Sequence, residues 1–84
     1  MKVEIGSRIL TRHSGNGKVM PCIVTEVWTG DGSDTRNGPV TVNATQFTGS
    51  GPTYGLSSIQ VHDTQLEAEA ANGMNGAWPF EGDR

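Results

Sequence analysis

Two stretches decide the fold: Met20-Pro21-Cys22-Ile23-Val24-Thr25-Glu26-Val27-Trp28, and Val40-Thr41-Val42-Asn43-Ala44 after an intervening polar loop. The first holds the densest β-branched run in the chain, the composition of a strand rather than a helix. The second alternates with period two, so Val40, Val42 and Ala44 share one face and Thr41 and Asn43 the other. Gln46, Phe47 and Thr48 extend this strand toward a turn at Gly49-Ser50-Gly51-Pro52. Thr29 to Pro39, between the two runs, is rich in Gly, Asp and Asn and reads as a polar loop that forms no core.

Working outward, Ser7 to Arg12 carries Ile9 and Leu10 and reads as a strand. It leads into Ser14-Gly15-Asn16-Gly17, where Asn-Gly signals a hairpin. Tyr54 to Val61 supplies Leu56, Ile59 and Val61 and closes the β region. Thr64 to Asn72 is the one helical segment: Thr64-Gln65-Leu66-Glu67 has capping-box spacing, good helix formers follow, and Gly73 is a suitable terminator. Two turns are too short to stand alone, so the helix needs packing against the strands. In the tail, residues 72–84, Trp78 and Phe80 flank Pro79 and are expected to cover an open end of the β structure. Four to five short strands with one short helix and an aromatic tail predict a mainly β domain, a small barrel or sandwich, over residues 1–84.

Composition sets the limits. The chain has 84 residues, 12 of them Gly and 9 Thr, with 6 basic against 9 acidic side chains and a net charge of −3. Leu, Ile, Val and Phe together number only 16, a share that signals disorder only when net charge is also large. One small domain is the ceiling, which excludes a catalytic cleft between two lobes. No apolar run approaches the ~18 residues of a membrane span. Met1 to Gly6 has an acid and no apolar core, so no secretory signal is read there. The single cysteine, Cys22, precludes an intrachain disulfide, and a lone thiol fits synthesis in a reducing interior. Small scaffolds without disulfides or metals often gain stability by association, so a homo-oligomer is expected.

Catalytic parts are scarce. Cys22 paired with His13 or His62 is the one thiolate nucleophile on offer, but Cys22 lies inside a strand, where a buried structural thiol is the ordinary case. Gly15-Asn16-Gly17-Lys18 ends like a phosphate loop, yet Val19 replaces the hydroxyl residue that would hold Mg²⁺. Asp31, Asp34 and Asn37 lack the spacing of a calcium loop. No cofactor, metal or catalytic residue is therefore assigned, and a non-enzyme is expected. Arg8, Arg12, His13 and Lys18 do cluster around a glycine turn, whose amides could join them as an anion nest. Trp28 and Tyr54 could stack on a ring beside it. The acidic balance disfavours double-stranded nucleic acid, whose affinity rests on neutralising phosphates. The five aromatic residues of so small a domain are otherwise expected in its core.

Four stretches in order resemble a group of small phage-encoded proteins of mostly unassigned function. They are Pro21-Cys22-Ile23-Val24-Thr25-Glu26-Val27, Val42-Asn43-Ala44-Thr45-Gln46-Phe47, Ser58-Ile59-Gln60-Val61-His62-Asp63 and Trp78-Pro79-Phe80-Glu81. The group carries a Pro-Ala-Ile-Val-Thr strand, a Val-Asn-Leu-x-Val-Phe strand and a C-terminal Trp-His-Trp-Pro-Glu; here Gly76 stands where the first Trp of that tail would be. The resemblance implies a phage origin and a small SH3-like barrel, and it supplies no functional residues. It suits a non-catalytic accessory in the host cytoplasm that sequesters or blocks a host protein or a small anionic, nucleotide-like signal in an anti-defence role. The alternatives are a virion piece packed on capsid protein, such as a decoration or connector, and a weak nucleic-acid binder.

Overall fold

In the computed structural model, which describes residues 1–49 and 51–83, Val40, Val42, Ala44 and Gln46 are all buried, and the residues between them are half-buried. That is the side-chain alternation of a strand with one face on a core. Ser50 of the expected Gly49–Pro52 turn, and Arg84, lie outside the described residues. The elements are β1 (Lys2–Val3), β2 (Arg8–Arg12), β3 (Val19–Val27), β4 (Ser33–Asp34), β5 (Val40–Gln46), β6 (Tyr54–Val61), α1 (Gln65–Asn72) and β7 (Gly76–Pro79). Five strands close into a barrel in the order β2-β3-β5-β6-β7, and β1 and β4 form a separate two-stranded ribbon. The mainly β, small SH3-like barrel with one short helix is thus the observed fold.

The interior is filled by Val3, Ile9, Cys22, Val24, Val40, Val42, Ala44, Val61 and Ala77. No aromatic ring belongs to it, contrary to expectation. Trp28, Phe47 and Tyr54 are exposed, Phe80 is half-buried, and Trp78 is buried outside this cluster. The inward positions of the staves are taken by branched aliphatics, cysteine and alanine, and the rings lie on outward faces or at the strand ends.

The tail is a second correction. Trp78 does not cap an open end with Phe80; β7 is itself the stave that closes the barrel, antiparallel to β2 and parallel to β6. A parallel neighbour needs a crossover of a dozen or more residues, and residues 62–75, with α1 in the middle, provide it. Ala77 points inward and is fully buried, while Gly76 and Trp78 share the other face. A Cβ on Gly76 would sit 2.7 Å from the carbonyl oxygen of Ala68, so glycine lets α1 lie flat on β7. Pro79 closes the strand opposite Ile9, at an end position where a missing N–H is tolerated.

The polar loop also holds more than expected. Ser33 and Asp34 pair with Val3 and Lys2, and Thr35 is buried, its hydroxyl donating to Asp63 Oδ1 across 2.8 Å. The helix forms as read: Thr64 Oγ1 accepts from the Glu67 amide at 3.2 Å, and Gly73 stops it at φ +59°. The first hairpin is closed by His13 N donating to Lys18 O at 2.8 Å and Gly17 N to His13 O at 2.7 Å. Bulges in β3 and β6, on either side of β5, meet at Asn43, whose Oδ1 accepts from Trp28 Nε1 at 3.0 Å and from the Ser58 amide at 2.9 Å. Bulges of this kind sharpen twist and help a short sheet close.

Candidate functional site

Gln46 is the fourth inward position of the alternation that begins at Val40, so the pleat itself drives a carboxamide into the barrel end. The residue is 2 % exposed. His13 Nδ1 donates to its Oε1 across 3.1 Å. Its Nε2 is buried and has no hydrogen-bond partner. An unmet buried donor of this kind costs about 1–3 kcal/mol, so its retention calls for a reason.

Gln46 lines a cleft of about 210 Å³ together with Arg12, His13, Tyr54, Ile59 and Met74, among others. The rings of His13 and Tyr54 lie 5.0 Å apart at 37°. A Cβ on Gly15 would come within 3.0 Å of His13 Nε2, so the bare turn passes close over the imidazole. Met74 reaches the cleft from the single 3-10 turn Gly73–Asn75 that follows α1. Arg12 ties the same region together. Its Nε donates to Glu69 Oε1 at 2.9 Å, with Nη2 2.8 Å from the same oxygen, and its Nη1 donates to the Gly17 carbonyl at 2.8 Å. Glu69 also accepts from Gln65 Nε2 at 3.0 Å; that bond first, and Arg12 second, hold its carboxyl below the usual range.

Three of the six ligand-binding candidates thus converge: Arg12, His13 and Tyr54. Arg8 does not join them. It starts the strand that Arg12 ends, roughly 13 Å away at the usual rise per residue, with its guanidinium on Asp83 at 2.9 Å and 5.2 Å from the Phe80 ring centre. Lys18 is exposed beyond the turn and does not line the cleft. Trp28 follows the far end of β3, 57 % exposed and bound to Asn43. The expected four-cation nest is therefore not assembled. Three amides of the hairpin are occupied as well: those of His13 and Gly17 by the hairpin bonds, and that of Lys18 by Asn16 Oδ1 at 2.9 Å. Gln46 and Met74 escaped the sequence reading, although Gln46 carried a signal, a polar residue in phase with three core positions.

Two wider depressions are less suited to selective binding. One, of about 550 Å³, runs past Lys2, Asp34, Arg36 and Asp63; the other, of about 400 Å³, past Thr35, His62 and Glu67. Of their polar groups, Thr35, Asp63, Asp34, Arg36 and His62 are already paired. Arg36 Nη2 bonds Asp34 at 2.8 Å and holds that carboxyl far below the usual range, and Asn72 Nδ2 donates to His62 Nε2 at 2.7 Å. Selective sites combine apolar walls with a few convergent polar groups, and the Gln46 cleft has that mix.

The nucleophile candidates are not brought together. Cys22 is fully buried, its thiol pushed up to about 12 by burial, while His13 bonds Gln46 and His62 bonds Asn72. Asp31 Oδ1 accepts from the Ile5 amide at 3.1 Å. Among the described residues no three His, Cys, Asp or Glu side chains gather as a metal site, and no helix is long and apolar enough to cross a membrane. Comparison with protein-family models, curated proteins and solved structures finds no match to this chain.

Proposed function

We propose that this protein is a non-catalytic binding module that acts by stoichiometry, holding a small ligand in the cleft over Gln46. The observation that carries the reading is Gln46, which lines a cleft beside Tyr54, His13 and Met74 and whose buried Nε2 has no partner. The resemblance to small phage-encoded proteins supports placing such a module as an accessory that withholds a host factor or nucleotide-like signal. Amide NMR of the chain against a small-fragment set that includes nucleosides and nucleotides tests it. Shifts centred on His13, Gln46, Tyr54 and Met74 are expected. A complete set with no response there would contradict it.

Exposed apolar side chains favour a second reading, a virion piece packed on capsid protein. Ile5, Trp28 and Leu66 are 62 %, 57 % and 81 % exposed. Single exposed apolar residues are ordinary on monomers, so this reading ranks second. Mass spectrometry of purified virions decides between them: a fixed copy number per particle supports the structural role and removes the sequestering one.

A further inference from the structure

Resting on the binding reading above, we infer that the cleft takes an uncharged planar ring carrying a carbonyl oxygen, a cyclic amide of the kind found in oxo-purine and oxo-pyrimidine bases. Four observations carry the inference. The first is the polarity of Gln46. A free carboxamide offers a donor and an acceptor side by side, but here Oε1 is held by His13 at 3.1 Å. Only the Nε2 donor is left over, so the group asks for an acceptor.

The second observation is charge. Arg12 is matched by Glu69 at 2.8 Å and by the Gly17 carbonyl, Arg8 is turned onto Asp83, and the chain as a whole carries −3. The guanidinium in the cleft lining is thus already paired, so a neutral acceptor fits better than an anion. The third is shape. At about 210 Å³ the space suits a single planar base rather than a drug-sized molecule, whose pockets run from about 300 Å³ upward. Tyr54, 42 % exposed beside His13, offers a flat wall on which such a ring stacks, and Leu56 and Ile59 give the apolar lining.

The fourth is access. Nε2 is closed from solvent in the empty protein, so a ligand oxygen reaches it only when the wall gives. Met74 is a pliable side chain on that wall: it lines the cleft, is 46 % exposed, and is unbranched. The ligand oxygen then satisfies the donor that the empty protein leaves unmet.

Calorimetric titration of the intact chain with inosine, adenosine, inosine 5′-monophosphate and inorganic phosphate tests the inference, because inosine and adenosine present a carbonyl and an amino group at the same ring position. Inosine is expected to bind at least about tenfold more tightly than adenosine, the factor that one unmet buried donor implies. The 5′-monophosphate is expected to match inosine within about threefold, and phosphate alone not to bind. Gln46→Met is expected to erase the inosine preference, and the surface variant Tyr54→Leu to weaken all nucleosides while leaving the fold intact. Equal or tighter binding of adenosine, or binding of phosphate alone, overturns the inference. If no nucleoside binds but other fragments shift the cleft residues, the inference fails and the binding reading stands. If nothing shifts them, both fail.

Discussion

Cys22 and Gln46 stand directly opposite each other in the β3–β5 ladder, and both are buried. Their chemistry diverges from there. The thiol is a small apolar filler whose burial pushes its pKa up to about 12, so at neutral pH there is almost no thiolate to react. Iodoacetamide at pH 8 is therefore expected to leave the native chain unlabelled and to label Cys22 once denaturant unfolds it; rapid labelling of the native protein would contradict this burial. The carboxamide has no such inert option, because a buried amide end needs a partner whichever way it faces. Of the site, Arg12, His13 and Tyr54 were legible as residue types suited to ligands. Their partner Gln46 was legible only through its phase in the strand. Arg8 and Lys18 were misleading because closeness along an extended chain is not closeness in space.

At the scale of elements, the period-two run in β5, the first hairpin and the capped helix were all readable, since each is specified by contacts a few residues apart. β7 was not. Gly-Ala-Trp-Pro is too short to show a period, contains a proline, and becomes a strand only because α1 carries the chain across to β6. Gly76→Ala probes that crossover: its Cβ would press on the Ala68 carbonyl at 2.7 Å, and overpacking of this kind costs about 1–3 kcal/mol. Gly55→Ala, where nothing lies within 4 Å, is the matched control and is expected to change stability by less than about 0.5 kcal/mol. Equal effects in denaturant melts would contradict the close approach of α1 and β7.

The tie between α1 and the hairpin has a pH signature. Gln65 and Arg12 lower the Glu69 carboxyl in the fold, so the unfolded chain binds its proton more tightly. The contribution of Glu69 is then complete above its ordinary value near pH ~4.3 and is lost as pH falls through the lower folded value. Glu69→Gln is expected to flatten the acid limb of the stability profile below that pH and to leave its shape near pH 7 unchanged. An identical acid limb in the variant would show that the pair contributes nothing.

For the whole molecule, few aliphatics mean a thin core, and the barrel solves this by geometry. Five staves close around nine side chains, with β6 and β7 joined over two residue pairs, and the rings move to the outside. That outward shift was hidden in the sequence, because hydrophobicity ranks a ring as core and only the strand pairing shows which face each ring takes. The same narrowness makes an unmet donor at the barrel end conspicuous. Domains of this size hold only about 4–13 kcal/mol in total, so a deficit of one kcal/mol or more is a sizeable share to keep without use.

Thermal unfolding of Gln46→Met beside the parent chain, each with and without inosine, tests this most directly. If Gln46 is kept for a ligand, replacing its amide by an apolar chain of similar shape removes the unmet donor, and the half-buried His13 turns to water instead. The variant is then expected to melt higher, by about 4–8 °C for each kcal/mol regained, and to lose the further rise that inosine gives the parent. A variant that melts lower than the parent and still responds to inosine would contradict the account, because Gln46 would then be a structural group and the ligand would sit elsewhere.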